Sequence, residues 1–459
     1  MKKRTLKAFF ITAMIVIFAL STFACATATE VKDEGSGQNE QSESQVEGME
    51  PDIPIIPEIK LAFGHEPYMD HTQLIIALDK GWTKEVGITI TPEPNGKVIA
   101  GENTIPIFAS DEIDVMSGSV PLFLGASKQL PEFKFFVGAD VFQGYAIMAQ
   151  PDAGYKNVQE FIDEGMTSDQ AMEAVIKQMT GKKFAYPSET AIKGFIQLCL
   201  SKGGITMDDV EAIVAEDAKT SAMMISKQAD FQVGGVPSRL TLETEGFKPI
   251  ITSADLAQFA EASPDSAELR AIFFDGWLAH DTYIEENYDT ILRMTSICWR
   301  INQFINDHPE EAIPVHVNFL NSKAGTNLTV ETGEVIYFSL DPFITYEGQA
   351  AWFDDSNPVS DNNIIGSYIN MWEDQGYFEP DEVSPADFSI AKLVYDDMTN
   401  YKTQAESDIE KAKEIIGDQS YETTSKMIAM AEKLYDMFDF FDAARFAEAA
   451  VNWAEYEAK

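Results

Sequence analysis

The segment that most narrows the possible folds runs from Gly181 to Pro237, GKKFAYPSETAIKGFIQLCLSKGGITMDDVEAIVAEDAKTSAMMISKQADFQVGGVP. A short β-branched and aromatic run ends at Pro187, and a helical pattern opens at Ser188-Glu189-Thr190. A second strand, 210–214, leads into a helix opening near Asp217. A third, 231–233, ends in Gly234-Gly235-Val236-Pro237. Strands separated by helix-length segments read as parallel βαβ units. In such sheets a ligand sits beyond the carboxyl ends of the strands, where loops and helix N-termini gather. The same alternation recurs upstream, from Ile59 to Ser119. Two α/β lobes whose loops face a shared crevice are therefore expected, with strands 133–141 and 145–149 carrying the chain from one lobe into the other. Strand 248–253 is read as the return.

The 459 residues suffice for two domains with real cores. Acidic residues number 75 against 33 basic ones, for a net charge of −42. Nucleic acid is excluded as a partner, because phosphate neutralisation needs clustered Lys and Arg, and none occur beyond the leader. Most of the acids are read as solvated surface. Cys199 and Cys298 lie inside apolar helical patterns (FIQLCLSK and TSICWRI) and are expected to be buried, inert thiols.

The chain starts with Lys2-Lys3-Arg4 and an apolar run from Ala8 to Leu20, too short for a comfortable membrane span and suited to an export signal. The following Thr22-Phe23-Ala24-Cys25 resembles the lipobox of secreted lipoproteins, in which the Cys is lipidated and becomes the mature N-terminus. Thr22 stands where Leu is usual, and cleavage after Ala26 or Ala28 is the competing reading. Residues 1–25 are thus assigned to an export signal. Residues 26–57, rich in Glu, Ser, Gln and Gly, are assigned to a disordered acidic tether. Lobe 1 is expected over 58–145 and 247–402 and lobe 2 over 146–246. The region 403–459, without strand signal, is expected to be a helical appendage in which Ala431, Ala444, Ala447 and Ala450 allow close packing.

The stretches IALDKGWTKEVGITITPEP, FASDEIDVMSGSVPLFLGA, the opening segment and KQADFQVGGVPSRL resemble, in that order, the solute-binding proteins of nitrate/sulfonate/taurine-type ABC importers. The wider superfamily also holds pyrimidine and thiamine-precursor binders. The resemblance covers roughly Ile59 to Tyr401 and is strongest up to Leu240. It implies a type II periplasmic-binding-protein fold: two α/β lobes joined by a hinge, with a C-terminal helical extension in this chain. It also implies a small-molecule solute, an ABC permease and ATPase as partners, and an extracytoplasmic location. The insert at about 164–180 is long for the family, and the C-terminal helices are additional. Pro187-Ser188-Glu189-Thr190 stands where the family tends to have Pro-x-Gly-Ser/Thr, and Glu189 facing a cleft would repel nitrate or a simple sulfonate.

Candidate ligand contacts lie at the loop ends. Ser117, Gly118, Ser119, Ser188 and Thr190 stand at strand-to-helix turns, where hydroxyls and N–H groups could hold a polar ligand or simply cap helices. His65, Glu66, Tyr68, Asp70 and His71 crowd the loop after the first strand. A compact zinc site would show helical or Cys-rich spacing, absent here, so no metal is assigned. Glu66 or Asp70 could instead pair with an ammonium group, and Glu189 adds to that reading. Gly234 and Gly235 permit backbone approach, and Arg239 could clamp an acid group. No cofactor is called for. There is no Gly-x-Ser-x-Gly, Walker loop or CxxC, and the Cys-rich motif of the superfamily's pyrimidine-synthesising enzyme is missing, so a binding protein rather than an enzyme is expected. A sensor or docking subunit on the same fold is the alternative.

Overall fold

The computed structural model describes residues 50–99, 101–323 and 326–459. The export signal, Cys25 and the tether up to Met49 lie outside the described residues. The first sheet contains β1 (Ile59–His65), β2 (Ile88–Thr91), β3 (Lys97–Val98), β4 (Val115–Ser119), β5 (Phe133–Phe142) and β11 (Phe273–His280). Its order is β2-β1-β4-β11-β5, with β3 also on β1. β1 is parallel to β2, β3 and β4, and β11 runs antiparallel between β4 and β5. Leu61, Phe63, Val115, Phe135, Trp277 and Leu278 are fully buried. Sheets covered by helices on both faces carry near-continuous apolar strands of this kind.

The second sheet contains β6 (Ala146–Ala149), β7 (Lys183–Tyr186), β8 (Glu211–Val214), β9 (Phe231–Gln232) and β10 (Lys248–Thr252), in the order β10-β6-β9-β7-β8. The helices Thr190–Lys202 and Asp217–Ile225 fall between β7, β8 and β9, and the three strands are mutually parallel, as the alternation predicts. β10 pairs antiparallel with β6. This corrects the expected return at 248–253: that strand closes the second sheet, and the chain crosses back only through 253–272. The lobes are therefore joined by 143–145 on the way out and 253–272 on the way back.

The long insert forms one short helix, Ser168–Lys177, preceded by the helix Val158–Asp163; each is opened by a capping box, at Thr167/Gln170 and Asn157/Glu160 respectively. Gly165 between them has φ +95°, a conformation glycine adopts without a Cβ penalty.

Helices Ala391–Ile416, Glu422–Asp436 and Phe440–Glu457 form the C-terminal extension. Its own core is built on Ala405, Ala412, Ala431, Ala443, Ala447 and Ala450, all unexposed. Small side chains on facing helices let the axes approach closely, as the alanine pattern predicts. The first of these helices starts at Ala391, twelve residues ahead of the expected boundary, because its N-terminal turns (Ala391, Val394, Met398) pack into the main core. The extension is fastened to the first lobe by a buried pair, Arg293 Nε donating to Asp442 Oδ2 at 2.7 Å, and by Tyr346 against Phe440. Residues 50–57, expected to be tether, are partly engaged: Ile56 packs on the extension's core, and Arg445 donates to the Ile55 carbonyl at 3.3 Å.

Candidate functional site: an acidic inter-lobe cleft

The loop after β1 delivers a charged cluster. Glu66 is buried; its Oε1 accepts from Thr104 Oγ1 at 2.6 Å and its Oε2 lies 3.2 Å from His71 Nδ1. His71 Nε2 is 2.8 Å from Asp275 Oδ1, so the imidazole spans two carboxylates. Burial alone would lower the His71 pKa, but the charges of Asp70 and Asp275 and the contacts to Asp275 and Glu66 raise it well above the ordinary value. Burial opposes ionisation of Glu66 as well, yet His71 and Thr104 hold it below the usual carboxylate range. Asp70, with burial dominating and Asp275 and Glu66 adding repulsion against the pull of His71, is pushed up to about 7.

Tyr68 stands half-exposed in the same loop. Its hydroxyl pKa is raised, first by desolvation and then by Glu66, Glu189, Asp70 and Asp217. Two of those carboxylates belong to the first lobe and two to the second, so Tyr68 lies where the lobes meet. Gly101, opening the helix Gly101–Phe108, makes room for the loop: a Cβ there would come within 3.1 Å of Glu66 Oε1.

The second lobe answers with more negative charge. Glu189 caps the helix Thr190–Lys202 by position, without a side-chain capping bond. It is solvent-exposed, yet desolvation by the walls around it and repulsion from Asp217, Glu66 and Glu216 push it up to about 7. Asp217 accepts from Ser238 Oγ at 2.5 Å, while its Oδ1 has no partner within the protein. Burial raises Asp217 in spite of that bond and one from the Gly235 backbone. The glycine pair after β9 has a specific reason: a Cβ on Gly234 would sit 2.1 Å from Asp217 Oδ1 and 2.3 Å from Gln232 Nε2. Only a glycine lets the strand end pass so near the carboxylate.

Not every residue singled out in the sequence reaches this space. His65 is turned inward, its Nε2 2.9 Å from the Asn95 carbonyl and its ring stacked on Phe319; burial lowers it to about 4. Arg239 donates to the Gly144 carbonyl at 2.9 Å and to Glu243 at 2.9 Å, so it braces the first connection between the lobes in place of clamping a ligand. Ser117, Gly118 and Ser119, expected in a strand-to-helix turn, are instead the end of β4 and pair with Trp277, Gly276 and Asp275. Ser117 is fully buried and its Oγ has no partner. Gly118 faces Phe123, whose ring would lie 2.3 Å from a Cβ. Ser119 precedes the helix Val120–Ala126 without a side-chain cap. Ser188 is exposed beside Glu189, and Thr190 opens the helix.

Sequence reasoning missed Asp217 and Asp275 as site residues. Asp217 had the same signal as Ser188, a polar residue where a helix follows a strand. Asp275 had a different one, a lone carboxylate in the apolar run Phe273-Phe274-Asp275-Gly276-Trp277-Leu278, which is costly unless partnered.

Residues 56–272 match the model of the NMT1-like family. A protein of Brucella abortus (strain 2308), described in general terms as a binding protein, is 24% identical over 157 residues. That match spans 34% of this chain and just under half, 46%, of the relative. The periplasmic aliphatic sulphonate-binding protein SsuA of Escherichia coli superposes with a TM-score of 0.50 at 12% identity, covering 72% of this chain and 91% of its own. A sulfonate-binding SsuA of Methylobacillus flagellatus KT gives 0.52 at 14% identity, covering 75% and 95%. At such identities the structural likeness is one of fold. Residues 56–272 thus carry an NMT1-like match, on a fold like that of the two sulfonate-binding proteins.

Proposed function

We propose that this protein captures a small solute carrying a protonated amine or amidine, such as an aminopyrimidine or an amino-sulfonate, in the cleft between its lobes. It then hands that solute to an ABC permease and its ATPase. The observation that carries the ligand class is the convergence of Glu66 and Asp70 from one lobe and Glu189 and Asp217 from the other on Tyr68. A bare anion would meet carboxylates at the helix N-terminus where N–H donors would otherwise attract it. An ammonium or amidinium group would meet acceptors, one of them the partnerless Asp217 Oδ1. Bound between the lobes, it would relieve their mutual repulsion and draw the walls together, and the closed form would be favoured by the contacts that both lobes make to it.

Several features support an extracytoplasmic, membrane-tethered setting: the leader-like N-terminus, Cys25 in its lipobox-like context and the acidic stretch behind it. Among the described residues no helix is long and apolar enough to cross a membrane. The test is a calorimetric and thermal-shift panel of aminopyrimidines, taurine and simple amines against nitrate and alkanesulfonates. Saturating amines are expected to stabilise the fold, by about 2.7 kcal/mol at a hundredfold excess over Kd. Tighter binding of nitrate or an alkanesulfonate than of any amine would overturn the ligand class.

A further inference from the structure

Behind the cleft, in the body of the first lobe, three aspartates meet. Asp140 on β5 and Asp275 on β11 are register partners, so their side chains leave the same face of the sheet side by side. Asp341 comes from the segment after the helical turn Ile336–Leu340. That segment is pinned along β5, with Gln143 donating to the Leu340 carbonyl at 2.8 Å and Val141 to that of Pro342 at 3.0 Å. One carboxylate oxygen from each aspartate lies within 4.8 Å of the other two. All three residues are at most 1% exposed. Asp275 Oδ1 is taken by His71, but Asp275 Oδ2, Asp341 Oδ1 and both oxygens of Asp140 have no partner.

Buried carboxylates without partners cost several kcal/mol each. The imidazole beside Asp275, His71, is already shared with Glu66 and Asp70. We propose that Asp140, Asp275 and Asp341 hold a divalent metal cation of the hard, oxygen-seeking class, calcium, manganese or magnesium. The donor set is all oxygen, as those ions prefer, and lacks the thiolate or imidazole donors typical of zinc. Ligand oxygens at about 2.0–2.6 Å from one ion stand no more than about 5 Å apart, which the observed spacing meets. Neither oxygen of the buried Asp140 is hydrogen-bonded, and one of them faces Asp275 and Asp341. His71 would orient Asp275 from outside the ligand set, and the cation would fasten the Asp341 segment to the sheet. The three ligands come from positions 140, 275 and 341, so no local spacing in the sequence could announce them. Asp140 and Asp341 take no part in the cleft, and this inference stands or falls apart from the ligand proposed there.

The test uses the full chain, purified without chelator for metal analysis and then stripped with EDTA for titration with calcium, manganese and magnesium at pH 8. The expected result is about one equivalent of divalent metal after purification. At least one of the three cations should raise the melting temperature saturably, with that rise weakened tenfold or more in Asp140→Asn and Asp341→Asn. If Asp140→Asn is not recovered folded, Asp341→Asn and terbium luminescence of the wild type carry the comparison. Absence of bound metal together with no response to any of the three cations would overturn the proposal in favour of aspartic acids sharing protons. A response undiminished in the variants would overturn it too.

Discussion

Glu189→Gln separates two accounts of one side chain by the sign of its effect. If Glu189 merely supports the helix Thr190–Lys202 through the dipole, removing its charge should cost about 0.3–1 kcal/mol at neutral pH. The cleft geometry demands the opposite. Crowding by the cleft walls, Asp217, Glu66 and Glu216 lifts the folded-state pKa from 4.5 to about 7. Below the lower value both folded and unfolded chains hold the proton, and no cost arises. Between the two values the unfolded chain ionises while the folded one does not, so the destabilisation grows with pH; above about 7 it is complete. Taken at face value, that rise corresponds to roughly 3 kcal/mol. Because Glu189 is solvent-exposed, screening cuts it to about 1 kcal/mol. The ligand-free variant is thus expected to be about 1 kcal/mol more stable than the wild type at pH 8 and equal to it at pH 4, read by urea denaturation. Titration at pH 8 should show amine binding weakened about 10- to 100-fold, the worth of a hydrogen bond to a charged group. A variant that is less stable than the wild type at pH 8 would refute the reasoning and leave Glu189 as a helix-end residue.

Other expectations concern packing. Arg293→Met removes one half of a fully buried ion pair and leaves Asp442 with only the half-exposed Arg445, so a loss of about 3–5 kcal/mol in urea denaturation is expected; a loss under 1 kcal/mol would mean that apolar contact alone holds the extension. Gly234→Ala should displace Asp217 from its place beside Ser238. Amine binding is then expected to fall at least tenfold while circular dichroism stays native, and unchanged affinity would remove Asp217 from the site. Cys199 and Cys298 are free and buried, with burial raising both thiols. They should resist thiol reagents in the folded protein and react in denaturant, which is checked by timed labelling and mass spectrometry.

What could be read from the sequence was whatever depends on local period and local turn chemistry. The alternation in 181–237 placed β7, β8 and β9 with their intervening helices to within two residues, since each unit is specified by its own apolar spacing. The alanines of the tail likewise announced close helix packing. Partnership across the sheets was not legible. Lys248–Thr252 has the same β-branched character in either lobe, and only pairing with β6 decides its sheet. Ser117-Gly118-Ser119 looked like a turn because small polar residues favour turns, yet tertiary pairing with β11 makes them strand. Arg239 and His65 were chosen for their chemistry. Their directions are set by Gly144 and Asn95, residues far away in the chain. Of the cleft, the loop of Glu66, Tyr68 and Asp70 and the helix start at Glu189 were visible; Asp217 and Asp275 needed the fold to bring them alongside.

The fastening of the three C-terminal helices to the first lobe, through Arg293, Tyr346 and the docked Ile56, divides labour between the two jaws of the molecule. Whatever grips those helices holds one jaw still. On the function proposed above, the jaw carrying Glu189 and Asp217 is then the one left to move, on the two connecting segments 143–145 and 253–272.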